Sequence, residues 1–177
     1  MALPLIRPGH ETDIGALLEV ERRAAELLLG RGAYYLFAMH SLSQDDLQRG
    51  IRSGILRVAE VEGQAVGFAL CGEIDGHAHL FEMDVVPEHG RRGIGSALLE
   101  AVCSEAASRG YAAMTLTTLR DVPWNAPFYV KRGFSELAEE WGQELSEIVG
   151  RERMLGFPMR LRVVMRRELA EEVFEKV

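Results

Sequence analysis

Met83-Asp-Val-Val-Pro-Glu-His-Gly-Arg-Arg-Gly-Ile-Gly-Ser-Ala-Leu-Leu99 is the stretch whose reading decides the fold of this chain. An apolar, strand-like run meets Pro87, a basic glycine-rich turn follows, and an amphipathic helix begins. That order can build a phosphate cradle. Gly93 and Gly95 let the backbone come close to a ligand and tolerate positive φ. The N–H groups that open the helix have no intrahelical partner and favour an anion, as does the helix dipole. Arg91 and Arg92 add positive charge beside them. The bland alternative is a tight strand-to-helix turn with solvated arginines. A dinucleotide fingerprint fails, because Leu98 stands where the third glycine belongs and the preceding strands read as hairpins. A P-loop fails for want of Gly-Lys-Ser/Thr.

Outward from this stretch the chain reads as alternating strands and helices. Leu3 to Arg7 predicts a first strand, stopped by Pro8-Gly9. Thr12 or Asp13 can cap a helix to about Leu29, with Ile14, Leu17, Leu18, Ala25 and Leu28 near one face. Ala33 to Met39 is aromatic and irregular. Ser43 can cap a short helix from Gln44 to Arg52. Strands over Ile55–Val61, Ala65–Ile74 and His77–Val86 are separated by Glu62-Gly63 and Asp75-Gly76, both hairpin signals, and form an antiparallel meander. The Ile94–Arg109 helix leads to a strand over Ala112–Thr118, which a crossover makes parallel to His77–Val86. A short helix from Ala126 to Arg132, a strand over Phe134–Ala138, a helix over Glu144–Met154 and a final strand over Arg160–Arg166 complete the pattern. In that last strand Leu161, Val163 and Met165 alternate against Arg160, Arg162, Val164 and Arg166. Residues 168–177 read as a charged tail.

At 177 residues the chain is long enough for one domain with a real core, so residues 1–177 are expected to form a single domain with its core over about 3–167. Forty-seven per cent of residues are hydrophobic, and the net charge of −7 argues against nucleic acid as a partner. Cys71 and Cys103 show no metal spacing and read as buried thiols. No stretch reads as a secretion signal or is long enough to span a bilayer. The cytoplasm is the default, with no membrane partner and no metal expected.

A second constellation follows about 30 residues after the first: Trp124-Asn-Ala-Pro-Phe-Tyr-Val-Lys-Arg-Gly-Phe134. In this order the two resemble the GCN5-related N-acetyltransferase (GNAT) superfamily. The first is similar to that family's acetyl-coenzyme A pyrophosphate loop, the second to its Phe-Tyr-x-x-x-Gly-Phe segment. Gly90 stands where the family pattern prefers Gln or Arg, and Arg91 and Arg92 supply charge nearby. The resemblance covers most of the chain. It implies an α/β (α+β) fold with a mixed, mostly antiparallel central sheet of six to seven strands flanked by helices.

The resemblance further implies an acetyl-CoA-dependent N-acetyltransferase, in which a primary amine attacks the thioester directly. The backbone at Met83, Asp84 and Val85 would pair with the pantetheine arm and polarise the thioester carbonyl. Amides from Arg91, Arg92, Gly93, Ile94, Gly95 and Ser96 would hold the pyrophosphate. Tyr129 falls on the family's proposed acid for the leaving thiolate. For the base, His79 stands six residues before Val85, at an offset the family uses, and Glu82 is the second candidate; a water chain is the third. Strand alternation puts His77, His79, Phe81, Met83 and Val85 on one face and Glu82 and Asp84 on the other. Asn125 either touches the cofactor arm or caps the short helix.

The acceptor is less defined. Tyr34, Tyr35 and Phe37, with Trp141 and the segment up to Phe157, can receive a cation or a ring, or can be core packing. Glu26, Glu139 and Glu140 can attract an ammonium or be solvated. The reading is transfer of an acetyl group to a small-molecule amine. Acetylation of a protein or peptide amine, and a non-catalytic acetyl-CoA sensor, are the alternatives. A homodimer is common among relatives, and no sequence feature decides it.

Overall fold

Two mirror-image turns set the sheet's register. Glu62-Gly63 has φ of 52° and 79°, and Asp75-Gly76 has 51° and 74°. Positive φ at both central residues matches the right-handed twist of the flanking strands, so each turn closes a tight hairpin. In this computed structural model, residues 4–30, 41–139 and 141–169 are described. The strands are β1 (Leu5–Pro8), β2 (Ile55–Val61), β3 (Gln64–Ile74), β4 (His77–Val85), β5 (Ala113–Leu119), β6 (Ser135–Glu136) and β7 (Arg162–Glu168). They hydrogen-bond in the order β1-β2-β3-β4-β5-β7-β6. The helices are α1 (Ile14–Ala25), α2 (Gln44–Ser53), α3 (Ile94–Ser108), α4 (Ala126–Val130) and α5 (Gln143–Met154). The mixed sheet of six to seven strands expected from the sequence is therefore present with seven. The chain divides into two compact units, residues 1–72 with 81–102, and residues 73–80 with 103–177.

In the first unit, β1, β2 and β3 are antiparallel, with Ile6 opposite Ala59 and Ala59 opposite Gly67. Helix α1 differs from expectation in its start and its face. Asp13 does not cap it. Its carboxylate accepts two hydrogen bonds from Arg7 at 2.8 Å and one from the His10 amide at 2.8 Å. A 3-10 turn over Glu11–Asp13 precedes the helix. From Ile14 onward the 3.6-residue period buries Leu17, Val20, Glu21 and Ala24, with Leu28 just beyond, rather than Leu18 and Ala25. Ser43 caps α2 as expected, accepting from the Asp46 amide at 3.2 Å. Gly67 admits a close approach: a Cβ there would stand 2.7 Å from the Asp84 carbonyl and 3.3 Å from Leu98.

In the second unit, β5 runs parallel to the start of β4, pairing Ala78–Leu80 with Met114–Leu116, as the crossover predicted. Strand β7 lies between β5 and β6. This position overturns the predicted alternation. Val163, Val164 and Met165 are all buried, because a strand paired on both edges can be covered on both faces. The strand starts at Arg162 rather than Arg160, since a 3-10 turn takes Met159–Leu161, and it runs to Glu168, which had been placed in the tail. The N-terminus of α5 is held from outside the helix. The Asp75 carboxylate accepts from the Glu144 and Leu145 amides at 3.0 and 2.9 Å, while Glu144 accepts from the Asp75 amide at 2.6 Å. Leu145 and Val149 then pack on Val164, with Ile74, Leu137, Trp141 and Met159 around them.

Candidate active site

The strand-to-helix stretch lies wholly in the first unit. The parallel ladder with β5 ends at Leu80, so Phe81 to Val85 continue β4 outside it. The Val86 amide still donates to Val66 at 2.9 Å, which keeps this end of the strand on β3. A 3-10 turn over Pro87–His89 follows, and Arg23 of α1 pairs with Glu88 in it. Arg91 and Gly93 then take positive φ, 58° and 83°. Gly95 does not; it lies inside α3. The first bond of α3 runs from the Ala97 amide to the Gly93 carbonyl at 3.0 Å. Amides before Ala97 have no acceptor within the helix, and glycine at the cap position puts no side chain over them. A Cβ on Gly93 would meet nothing within 4 Å. This helix start, directly after Arg91 and Arg92 and with glycine at the cap position, fits a pyrophosphate.

Carboxyl groups gather beside the same strand. Glu21 is buried on α1 and accepts from the Leu42 amide at 2.8 Å; burial pushes its carboxyl above the usual range. Asp84 is pushed well above the usual range, first by burial and then by the negative charges of Glu82 and Glu21. The three carboxyl groups thus raise one another's cost of ionisation at this end of β4. Glu21 was not among the residues singled out from the sequence. Its only sequence signal was an acidic residue on the buried α1 face, four after Leu17 and three before Ala24.

His79, Tyr129, Asn125 and Trp141 lie in the second unit. His79 is 2 % exposed, and its Nδ1 lies 2.8 Å from the Thr115 hydroxyl. Burial lowers its pKa from 6.5 to about 4, so the ring is neutral at pH 7. Strand alternation does not describe this strand: Ala78, His79 and Leu80 are buried in succession, whereas Phe81 is 46 % exposed. Tyr129 on α4 is buried, with Phe128 and Phe134 edge-on at 5.1 and 5.5 Å. The Asn125 side chain makes no cap hydrogen bond; its backbone carbonyl holds the Phe128 and Tyr129 amides at 2.8 and 3.1 Å. Trp141 donates to the Leu137 carbonyl at 2.8 Å. Glu26 is paired with Arg22 at 3.0 Å. Tyr34, Tyr35, Phe37 and Glu140 fall outside the described residues. Among the described residues, no group of three or more His, Cys, Asp or Glu is placed to hold a metal ion, and no helix is long and apolar enough to cross a membrane.

The Acetyltransferase (GNAT) family profile matches residues 20–134, more than half of the chain. The chain belongs to the GNAT family. Its members are acetyl-CoA-dependent N-acetyltransferases, and the matched span contains both glycine-bearing segments. Solved structures with the same fold act on different acceptors by their names. A PaiA N-acetyltransferase from Thermoplasma acidophilum, in complex with coenzyme A, is 20% identical with a TM-score of 0.70, covering 94% of this chain and 99% of that one. The ribosomal-protein-S18-alanine N-acetyltransferase of Escherichia coli is 20% identical with a TM-score of 0.66, covering 99% of both chains. N-acetylglutamate synthase from Neisseria gonorrhoeae, complexed with coenzyme A and N-acetyl-glutamate, is 19% identical with a TM-score of 0.72. The match covers 96% of this chain but 36% of that one.

Proposed function

We propose that this GNAT protein transfers the acetyl group of acetyl-CoA to a primary amine of a small molecule. The observation that carries the donor half is the positive-φ turn at Arg91 and Gly93 leading straight into α3, directly after a strand end outside the parallel ladder. Amides of Arg91 to Ser96 hold the pyrophosphate, and the backbone of Met83, Asp84 and Val85 pairs with the pantetheine arm and polarises the thioester carbonyl. Coenzyme A in the Thermoplasma and Neisseria relatives supports this reading.

Direct transfer needs a neutral amine and a protonated leaving thiol. Tyr129 donates to the thiolate. Of the two candidate bases, Glu82 is favoured, because it is only half-buried whereas His79 is 2 % exposed. His79, buried against the Thr115 hydroxyl, is closed to an acceptor and acts by positioning β4 against Thr115. Asn125, free of a capping duty, contacts the cofactor arm.

The test is a thiol-release assay with acetyl-CoA over a panel of small amines, amino acids and peptides with free N-termini. Turnover of a small amine is expected. Turnover of peptides alone replaces the acceptor class, and tight acetyl-CoA binding without transfer to any amine replaces the enzyme with a sensor. Tyr129→Phe is expected to lower kcat about 10²-fold or more, and Glu82→Gln to remove the acidic limb of the pH–rate profile. Undiminished turnover in Tyr129→Phe removes it from the mechanism.

A further inference from the structure

The second unit holds a cavity of about 240 Å³ that none of the roles above uses. It lies beneath α5, against the ends of β5 and β7, and has room for one small molecule. Its walls are unequal in kind. Leu137, Val149, Met159 and Val164 make an apolar floor, and Trp141 stands beside them. The indole N–H of Trp141 is spent on the Leu137 carbonyl, so the ring offers only its apolar surface.

The charged walls are almost fully cancelled. Arg162, 8 % exposed in its side chain, donates through Nε to Glu152 at 3.1 Å and through Nη2 to both Glu152 and Thr117, the latter at 2.8 Å. The Thr117 hydroxyl donates to Glu152 at 2.6 Å, so that carboxylate accepts three hydrogen bonds. Arg120 closes a two-pronged pair with Glu136 at 2.7 and 2.6 Å. Each carboxylate is therefore already neutralised by a guanidinium. Arg153, the third guanidinium on the wall, pairs with no carboxylate among the described residues. The cavity thus carries one uncompensated positive charge over an apolar floor.

We infer that the cavity under α5 binds a small molecule bearing one anionic group, which Arg153 takes, and an apolar body that lies against Trp141 and Met159. A planar carboxylate suits a guanidinium fork. Two sources carry that chemistry: an acceptor amine that is itself an acid, in the manner of an amino acid, or an acid distinct from the acceptor. The first source rests on the acetyl-transfer reading, and the second does not.

Phenylacetate, phenylacetamide and phenethylamine share one body and differ in charge, so they are the probes. Binding to the full chain is read by calorimetry and by the indole N–H resonance of Trp141, assigned with Trp141→Phe. Saturable binding of phenylacetate that shifts this resonance is expected, with the amide and the amine at least roughly ten-fold weaker. Arg153→Gln, an exposed position whose change leaves the fold intact, is expected to weaken phenylacetate at least roughly ten-fold. Equal binding of the amine, an unmoved Trp141 resonance, undiminished binding to Arg153→Gln, or no binding of phenylacetate each overturns the inference. Competition of phenylacetate with an acetylated amino acid assigns the site to the acceptor; inhibition or activation without competition assigns it to a separate acid. These binding readouts do not depend on turnover, so their failure leaves the acetyl-transfer reading standing.

Discussion

Acidification tests the burial of His79 and its consequence for catalysis. The imidazole is 2 % exposed and its pKa falls from 6.5 to about 4 because charging it there costs hydration. The ring Nδ1 lies 2.8 Å from the Thr115 hydroxyl, so the neutral imidazole has a buried hydrogen-bond partner. As pH drops below 6.5 the unfolded chain takes up a proton at residue 79, whereas the folded chain takes it up only near pH 4. The unfolded state binds more protons through that window, so stability is full above pH 6.5 and falls on acidification. One proton gives a slope of about 1.4 kcal/mol per pH unit, and the whole gap is worth about 3 kcal/mol. Urea unfolding of the wild type and of His79→Asn, measured from pH 7.5 to pH 4, isolates this group from the carboxylates that titrate in both. The variant is less stable at pH 7.5, and the two curves converge as pH falls. Parallel curves refute the burial argument, as does a His79 ring resonance titrating near pH 6.5. The kinetic counterpart follows. A pH–rate limb near 6.5 that vanishes in His79→Asn would make this histidine the base and refute its positioning role.

Three further outcomes are expected. Gly67→Ala puts a Cβ 2.7 Å from the Asp84 carbonyl, well inside the 3.4 Å of ordinary contact, and should cost about 1–3 kcal/mol in urea unfolding and raise KM for acetyl-CoA; unchanged stability would show that β3 and β4 do not approach as described. Gly93→Ala meets no neighbour, so it should cost only the roughly 1–2 kcal/mol of a left-handed residue, and raise KM for acetyl-CoA more than KM for the amine; a reversed pattern of KM values removes the loop from donor binding. The two α5 amides hold the Asp75 carboxyl below its usual range, so it binds fewer protons folded than unfolded, and the protection factors of α5 amides, with the intrinsic pH dependence of exchange divided out, should fall as pH drops through its folded pKa; Asp75→Ala should show the lower protection factors at neutral pH, and protection unaltered in that variant rules out the cap.

What the sequence shows and what it hides differ by the range of the interaction. The two hairpin turns, the Ser43 cap and the strand-to-helix loop are written in residues adjacent or three apart, because positive φ and an uncapped helix end are local demands. The limits of β2 agree to the residue, since a tight turn and a helix cap bound it. Errors begin where a distant partner decides. Asp13 is a sound cap by type, but Arg7 takes its carboxylate. Strand β7 reads as half-exposed, but pairing with β5 and β6 buries Val164 as well. His79 reads as an accessible base, but a threonine 36 residues away shares its buried pocket. The same division runs through the function. A pyrophosphate is held mainly by backbone amides of consecutive residues, so the donor can be read from one loop. An acceptor is chosen by side chains that only the fold assembles, in the way that Arg153, Trp141 and Thr117, far apart in sequence, come to line one cavity. A motif shared across the family can therefore fix the donor while leaving each member free to change its acceptor one distant side chain at a time.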